Sequence, residues 1–118
     1  MKDILIAARA KIADQANWTQ HVLARDINDN DKPDSHPLAN QIHWEGLNGR
    51  DSQACKFCAV GAVQAVTTSE NGRFHAAHNA LNQAARNLFG TYSIAEVNDG
   101  HGHRAVLQYY DHAIGAAA

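Results

Sequence analysis

The run Cys55-Lys56-Phe57-Cys58-Ala59-Val60-Gly61-Ala62-Val63-Gln64-Ala65-Val66 constrains the fold of this chain more than any other segment. From Phe57 onward its sole polar interruption is Gln64. A segment apolar on nearly every side has to be covered on nearly every side. Alanine and glutamine favour a buried helix from Cys55 to Val66, while the β-branched Val60, Val63 and Val66 leave a buried strand as the alternative. The small residues Cys58, Gly61 and Ala62 are expected to let neighbouring helices close around it.

The rest of the chain supplies amphipathic partners. Leu5, Ala8 and Ile12, with Ile4 beside them, predict a first helix over Asp3–Asp14. Asn17, with Gln20 three residues on, predicts the start of a second helix that turns Trp18, Val22 and Leu23 inward. Phe74, Ala77, Leu81, Ala84 and Leu88 mark a helix over Arg73–Phe89, stopped by Gly90. Ser93-Ile94-Ala95-Glu96 is a capping box opening a short helix that ends near Gly100. A last helix over Arg104–Ile114 presents Val106, Tyr110 and Ala113, with Leu107 and Ile114 at their sides, and the tail Ala116–Ala118 is expected to fray. The expected class is all-α, a compact single-domain bundle of about five helices covering residues 1–118.

Residues 28–52 break this pattern. The stretch opens Asn28-Asp29-Asn30-Asp31-Lys32-Pro33-Asp34, contains Pro37, and closes around Asn48-Gly49-Arg50-Asp51, a composition that favours turns. Ile42, Trp44 and Leu47 predict that its middle packs back on the body. Loops this long in small domains are often functional.

Charge and cysteine content narrow the function classes. The chain of 118 residues has a formal net charge of −2 and its ten Lys and Arg are scattered singly, so no duplex nucleic acid partner is expected. No run approaches a membrane span, and the polar start Met1-Lys2-Asp3-Ile4 is unlike a secretory signal. With two cysteines the expectation is free thiols, a reducing compartment and a cytoplasmic location.

Several constellations carry chemistry on paper. Cys55-x-x-Cys58 and His75-x-x-His78 each share a helix face and would offer zinc four ligands if the two helices packed together. Zinc-finger histidines stand further apart, however, and Cys58 lies in the most apolar segment, so packing is the stronger reading and neither metal nor cofactor is expected. A dithiol motif would need a strand–helix context that is absent. Asp26-Ile27-Asn28-Asp29-Asn30 imitates the start of a calcium loop but has Asp31 where glycine is needed and Pro37 where glutamate is needed. His101-Gly102-His103 reads as an exposed turn. Cys58 embedded in apolar residues reads as inert rather than nucleophilic.

Taken in order, Trp18-Thr19-Gln20, Ala24-Arg25-Asp26, Phe57-Cys58-Ala59-x-Gly61-Ala62, Ser93-Ile94-Ala95-x-x-Asn98-Asp99 and the final Ala113-Ile114 resemble a family of small proteins of unknown function from tailed phages and bacteria. The likeness covers nearly the whole chain. It implies that much of 28–51 is an insertion and that the position of Cys58, rather than Cys55, belongs to the family pattern. It transfers no activity.

It does direct attention to Arg25, Asp26, Asn98 and Asp99. Their structural reading is as helix caps and loop ties. Their functional reading, with Trp18 as a stacking surface, is one polar pocket for a small anionic ligand such as a nucleotide. The expected function is a non-enzymatic binding protein of phage type that takes such a ligand or engages a host protein, with a homo-oligomer interface as one place for the site. A zinc-stabilised domain or metalloenzyme using the Cys/His pairs is the alternative. Any site is expected where the loops after Ala24 and Val97 meet the end of the Cys55–Val66 helix.

Overall fold

The apolar stripes become helices wherever their period is sustained. In a computed structural model of the chain, residues 1–90 and 92–117 are described. The helices are α1 (Lys2–Ile12), α2 (Ala59–Ala65), α3 (Gly72–Phe89), α4 (Ile94–Gly100) and α5 (His103–Ala116). Two short strands, β1 (Ala24–Arg25) and β2 (Lys56–Phe57), pair antiparallel with Ala24 opposite Phe57. The class is all-α, as the periodicity predicts.

Helix α1 buries Ile4, Leu5, Ala8 and Ile12 and packs chiefly on α2. Helix α3 starts at Asn71, whose side chain accepts from the N–H groups of Arg73 and Phe74, and buries Phe74, Ala77, Leu81 and Ala84 against α5. Leu88 departs from its stripe and is exposed, while Ala85 is buried in the core. The capping box of α4 forms in both directions between Ser93 and Glu96. Tyr109 and Tyr110 of α5 are fully buried. Tyr110 donates to the carbonyl of Ala59 at 2.7 Å and Tyr109 to that of Ile94 at 3.3 Å, so the phenols fix α5 against the starts of α2 and α4. Burial pushes both phenols far above their usual range, and each stays a neutral donor. Ala116 closes α5, and Ala118 of the tail lies outside the described residues.

Three expectations are corrected. The helix predicted from Asn17 does not form. A single 3-10 turn, Gln15–Asn17, is capped by Asp14, so α1 ends at Ile12 and the chain then runs extended. Thr19 donates its N–H to the carbonyl of Phe57 at 3.0 Å, and His21 takes a left-handed φ of 72° that no helix admits. Val22 is half-buried and Leu23 exposed rather than turned inward. Backbone bonds to a segment distant in sequence have overridden a weak local helix signal.

The central helix is also shorter than predicted. Cys55 donates to the carbonyl of Arg25 at 2.9 Å and Cys58 to that of Leu23 at 3.1 Å, so residues 55–58 are extended. Cys58 is the N-cap of α2, its Sγ accepting from the N–H of Gly61 at 3.3 Å. Gly61 admits backbone, not a helix. A Cβ there would sit 2.0 Å from the carbonyl oxygen of Leu23, and one at Gly49 would sit 1.9 Å from that of Gly61. Three backbone segments therefore stack, with no side chain tolerated between them.

Residues 28–52 contain neither helix nor strand. Leu47 is buried and Trp44 packs against the core, as read, but Ile42 is 92% exposed. The ring of His36 stacks on Trp44 at 4.5 Å, and its Nδ1 accepts from the N–H of Leu38 while Nε2 bonds Asp51. This latch holds the loop compact without regular structure.

Candidate functional site

The elements that meet at the start of α2 are tied together by one side chain, Asn98 of α4. It is 2% exposed. Its Oδ1 accepts from the indole Nε1 of Trp18 at 2.8 Å and from the N–H of Ala59 at 3.1 Å. Its Nδ2 donates to the carbonyl of Thr19 at 3.1 Å and to Oδ1 of Asp99 at 3.0 Å. An asparagine side chain has two acceptor and two donor positions, and all four are used. Gln20 adds bonds to the carbonyls of Asn98 and Asp99, which a helix end otherwise leaves unpaired. The N–H of His21 donates to Asp99 Oδ1 at 2.8 Å.

These bonds hold open a cleft of about 540 Å³. One wall is His21–Leu23, another the turn Glu45–Asn48, and α2 and α4 close the other sides. The floor is apolar, with Val22, Leu23, Leu47, Val60 and Ile94. The rim is acidic. Asp31, Glu45, Glu70 and Asp99 line it, and among the described residues no lysine or arginine does. Asp31 and Glu45 have no hydrogen-bonding or ionic side-chain partner among the described residues. Glu70 accepts from Gln64 at 3.0 Å and lies 3.5 Å from Arg50; the Gln64 bond first, then Arg50, draws its carboxyl below the usual range. Asp99 Oδ2 faces His21 Nδ1 at 3.8 Å, too far for a hydrogen bond, and keeps acceptor capacity.

The structure splits the five residues singled out in the sequence. Asn98 and Asp99 line this cleft, and Trp18 meets them through its indole N–H. Trp18 and Arg25 line a separate, shallower depression with Thr19, Gln20 and Asp29. Arg25 is engaged there, its Nε donating to Thr19 Oγ1 at 2.8 Å and one terminal nitrogen to the carbonyl of Asp29 at 3.2 Å. Asp26 is buried elsewhere, its Oδ1 accepting from the N–H groups of Asn28 and Asn30. Trp18, Asn98, Asp99 and, through Thr19, Arg25 form a chain of ties rather than one pocket, and Asp26 stands apart from it. Asp31, Glu45, Glu70 and His21 are the cleft residues that sequence reasoning missed. The cleft lies at the start of α2, between residues 21–23, Asn98-Asp99 and the 45–48 turn of the loop that follows Ala24.

The chain matches the model of a family of unknown function (DUF6197) over residues 1–116. It belongs to that family. No curated protein and no solved structure matches it. In this DUF6197 member, among the described residues, no three His, Cys, Asp or Glu side chains are placed to hold one metal ion, and no helix is long and apolar enough to cross a membrane. Both cysteines are free thiols. Burial pushes the Cys58 thiol above its ordinary range, opposed in part by the N–H of Gly61, so it stays protonated at neutral pH.

Proposed function

We propose that this protein is a non-enzymatic binding domain of phage type, acting in the bacterial cytoplasm, and that the cleft at the start of α2 is the surface with which it engages a host protein. The observation that carries this reading is the cleft itself: a cavity of about 540 Å³ with an apolar floor, open to solvent and held in shape by a saturated hydrogen-bond cluster. Sites of this size with few polar groups over apolar walls are where proteins take ligands. The phage and bacterial setting comes from the sequence resemblance. The small anionic ligand expected from the sequence is disfavoured by charge, because four carboxylates line the cleft and, among the described residues, no lysine or arginine does.

Photo-crosslinking tests the reading. A photoreactive residue in place of Ala95, exposed on α4 and lining the cleft, is expected to capture one discrete protein in bacterial cells. The same residue in place of Gln108, exposed on α5 away from the cleft, is the control. Equal patterns from the two positions overturn the proposal.

A further inference from the structure

Charge is distributed very unevenly over this molecule. Of its twelve Asp and Glu residues four line one cleft, and of its ten Lys and Arg none does among the described residues. The formal net charge is only −2, so outside the cleft basic residues outnumber acidic ones. A cleft of one sign with low-dielectric walls focuses the field within it.

The carboxylates do not converge. Asp31 and Glu45 come from the 28–52 loop, Glu70 from the turn between α2 and α3, and Asp99 from α4. No three of them, with any His or Cys, could share one cation. They are spread round an apolar floor that ends in the exposed side chain of Leu23. A single small cation would use one carboxylate and leave the floor wet. An extended segment with apolar side chains on one face and basic ones on the other would use both.

Resting on the reading of the cleft as the binding surface, we infer that its occupant is a basic, amphipathic peptide segment of the partner protein. Apolar side chains lie on Val22, Leu23, Leu47, Val60 and Ile94, and lysine or arginine side chains reach Asp31, Glu45 and Asp99. Among the described residues the side chains of Asp31 and Glu45 have no partner, so a guanidinium gains them without breaking a bond seen there. Glu70, already held by Gln64 and Arg50, contributes field rather than a contact. The walls are preformed, because Asn98 and the stacked backbones of Leu23, Gly61 and Gly49 fix them before any partner arrives.

The test is a titration of the full chain followed by amide NMR. The probe is a short end-capped peptide alternating leucine and arginine; parallel arms replace arginine by glutamate, replace leucine by serine, or use spermidine. The leucine–arginine peptide is expected to shift the amides of residues 21–23, 45–48 and 94–95 and to leave α5 unchanged. The glutamate peptide is expected not to bind, and the serine peptide and spermidine to bind at least tenfold more weakly. The double variant Asp31→Asn/Glu45→Gln, whose unshifted core amides report intact folding, is expected to weaken the leucine–arginine peptide about tenfold. Equal binding of the glutamate peptide, tighter binding of spermidine, or shifts scattered over the surface overturn the inference. If the peptide fails while the Ala95 crosslink captures a partner, the cleft binds by other chemistry and the proposed function stands; if both fail, both fall.

Discussion

At the scale of single residues, Asn98 is where fold and candidate site coincide. Its side chain satisfies two buried N–H donors, from Trp18 and Ala59, and supplies the donor for Thr19. Asn98→Ala strands those groups, and at about 1–3 kcal/mol for each unsatisfied buried partner the loss is expected to be about 3 kcal/mol or more in chemical denaturation. Asn98→Asp keeps the acceptor but sets a second carboxylate against Thr19 O and Asp99. Its deficit relative to the wild type is expected to be large at neutral pH and to shrink as pH falls towards about 4, where the introduced carboxyl is protonated in the folded chain. The Asn98-Asp99 pair stands out in the sequence through the family resemblance, not through local physics. That the partners would be Trp18 and Ala59 was not legible, since nothing local links residues so distant in sequence. Arg25 and Asp26 stand out in the same way, and their partners prove to be Thr19 and the neighbouring turn.

At the scale of elements, α1, α3, α4 and α5 follow from periodicity and caps because each carries its own start signal and a sustained stripe. The failures lie where backbone bonds between distant segments decide. Residues 18–19 and 23–25 are held against 55–58 by backbone bonds, with a bend at His21 between them, and neither segment announces a strand. The apolar run around Cys58 predicts a packing residue inside a helix, yet Cys58 is the cap that begins one. Helix α3 carries a pH signature. Partial burial first, then the neighbouring His75, lowers the pKa of His78 from its ordinary 6.5. The unfolded chain therefore takes up this proton at a higher pH than the folded one, so the contribution of His78 to stability is fully present above about pH 7 and is lost as pH falls through 6.5 towards the lowered value. Thermal melts of His78→Gln are expected to lose that part of the decline. A profile identical to the wild type between pH 7 and 5 would count against the assignment.

At the scale of the whole molecule, the acidic cleft is the feature least visible in the sequence. Asp31, Glu45, Glu70 and Asp99 are ordinary surface residues one at a time, and only the path of the 28–52 loop brings two of them, Asp31 and Glu45, round to Glu70 and Asp99. That path rests on Leu47 donating to the carbonyl of Asp31 at 2.8 Å, on Gly46 at a φ of 110°, and on Gly49 donating to Gln64. A composition that favours turns identifies the loop but not its course. The loop thus supplies both a wall of the cleft and half of its charge.

The most direct measurement joins the two binding claims. The Ala95 crosslink is formed in bacterial lysate with increasing leucine–arginine peptide, and with the glutamate peptide in parallel. The account predicts that the discrete adduct fades with the first peptide and persists with the second. An adduct undiminished at a leucine–arginine concentration that saturates the cleft would contradict it.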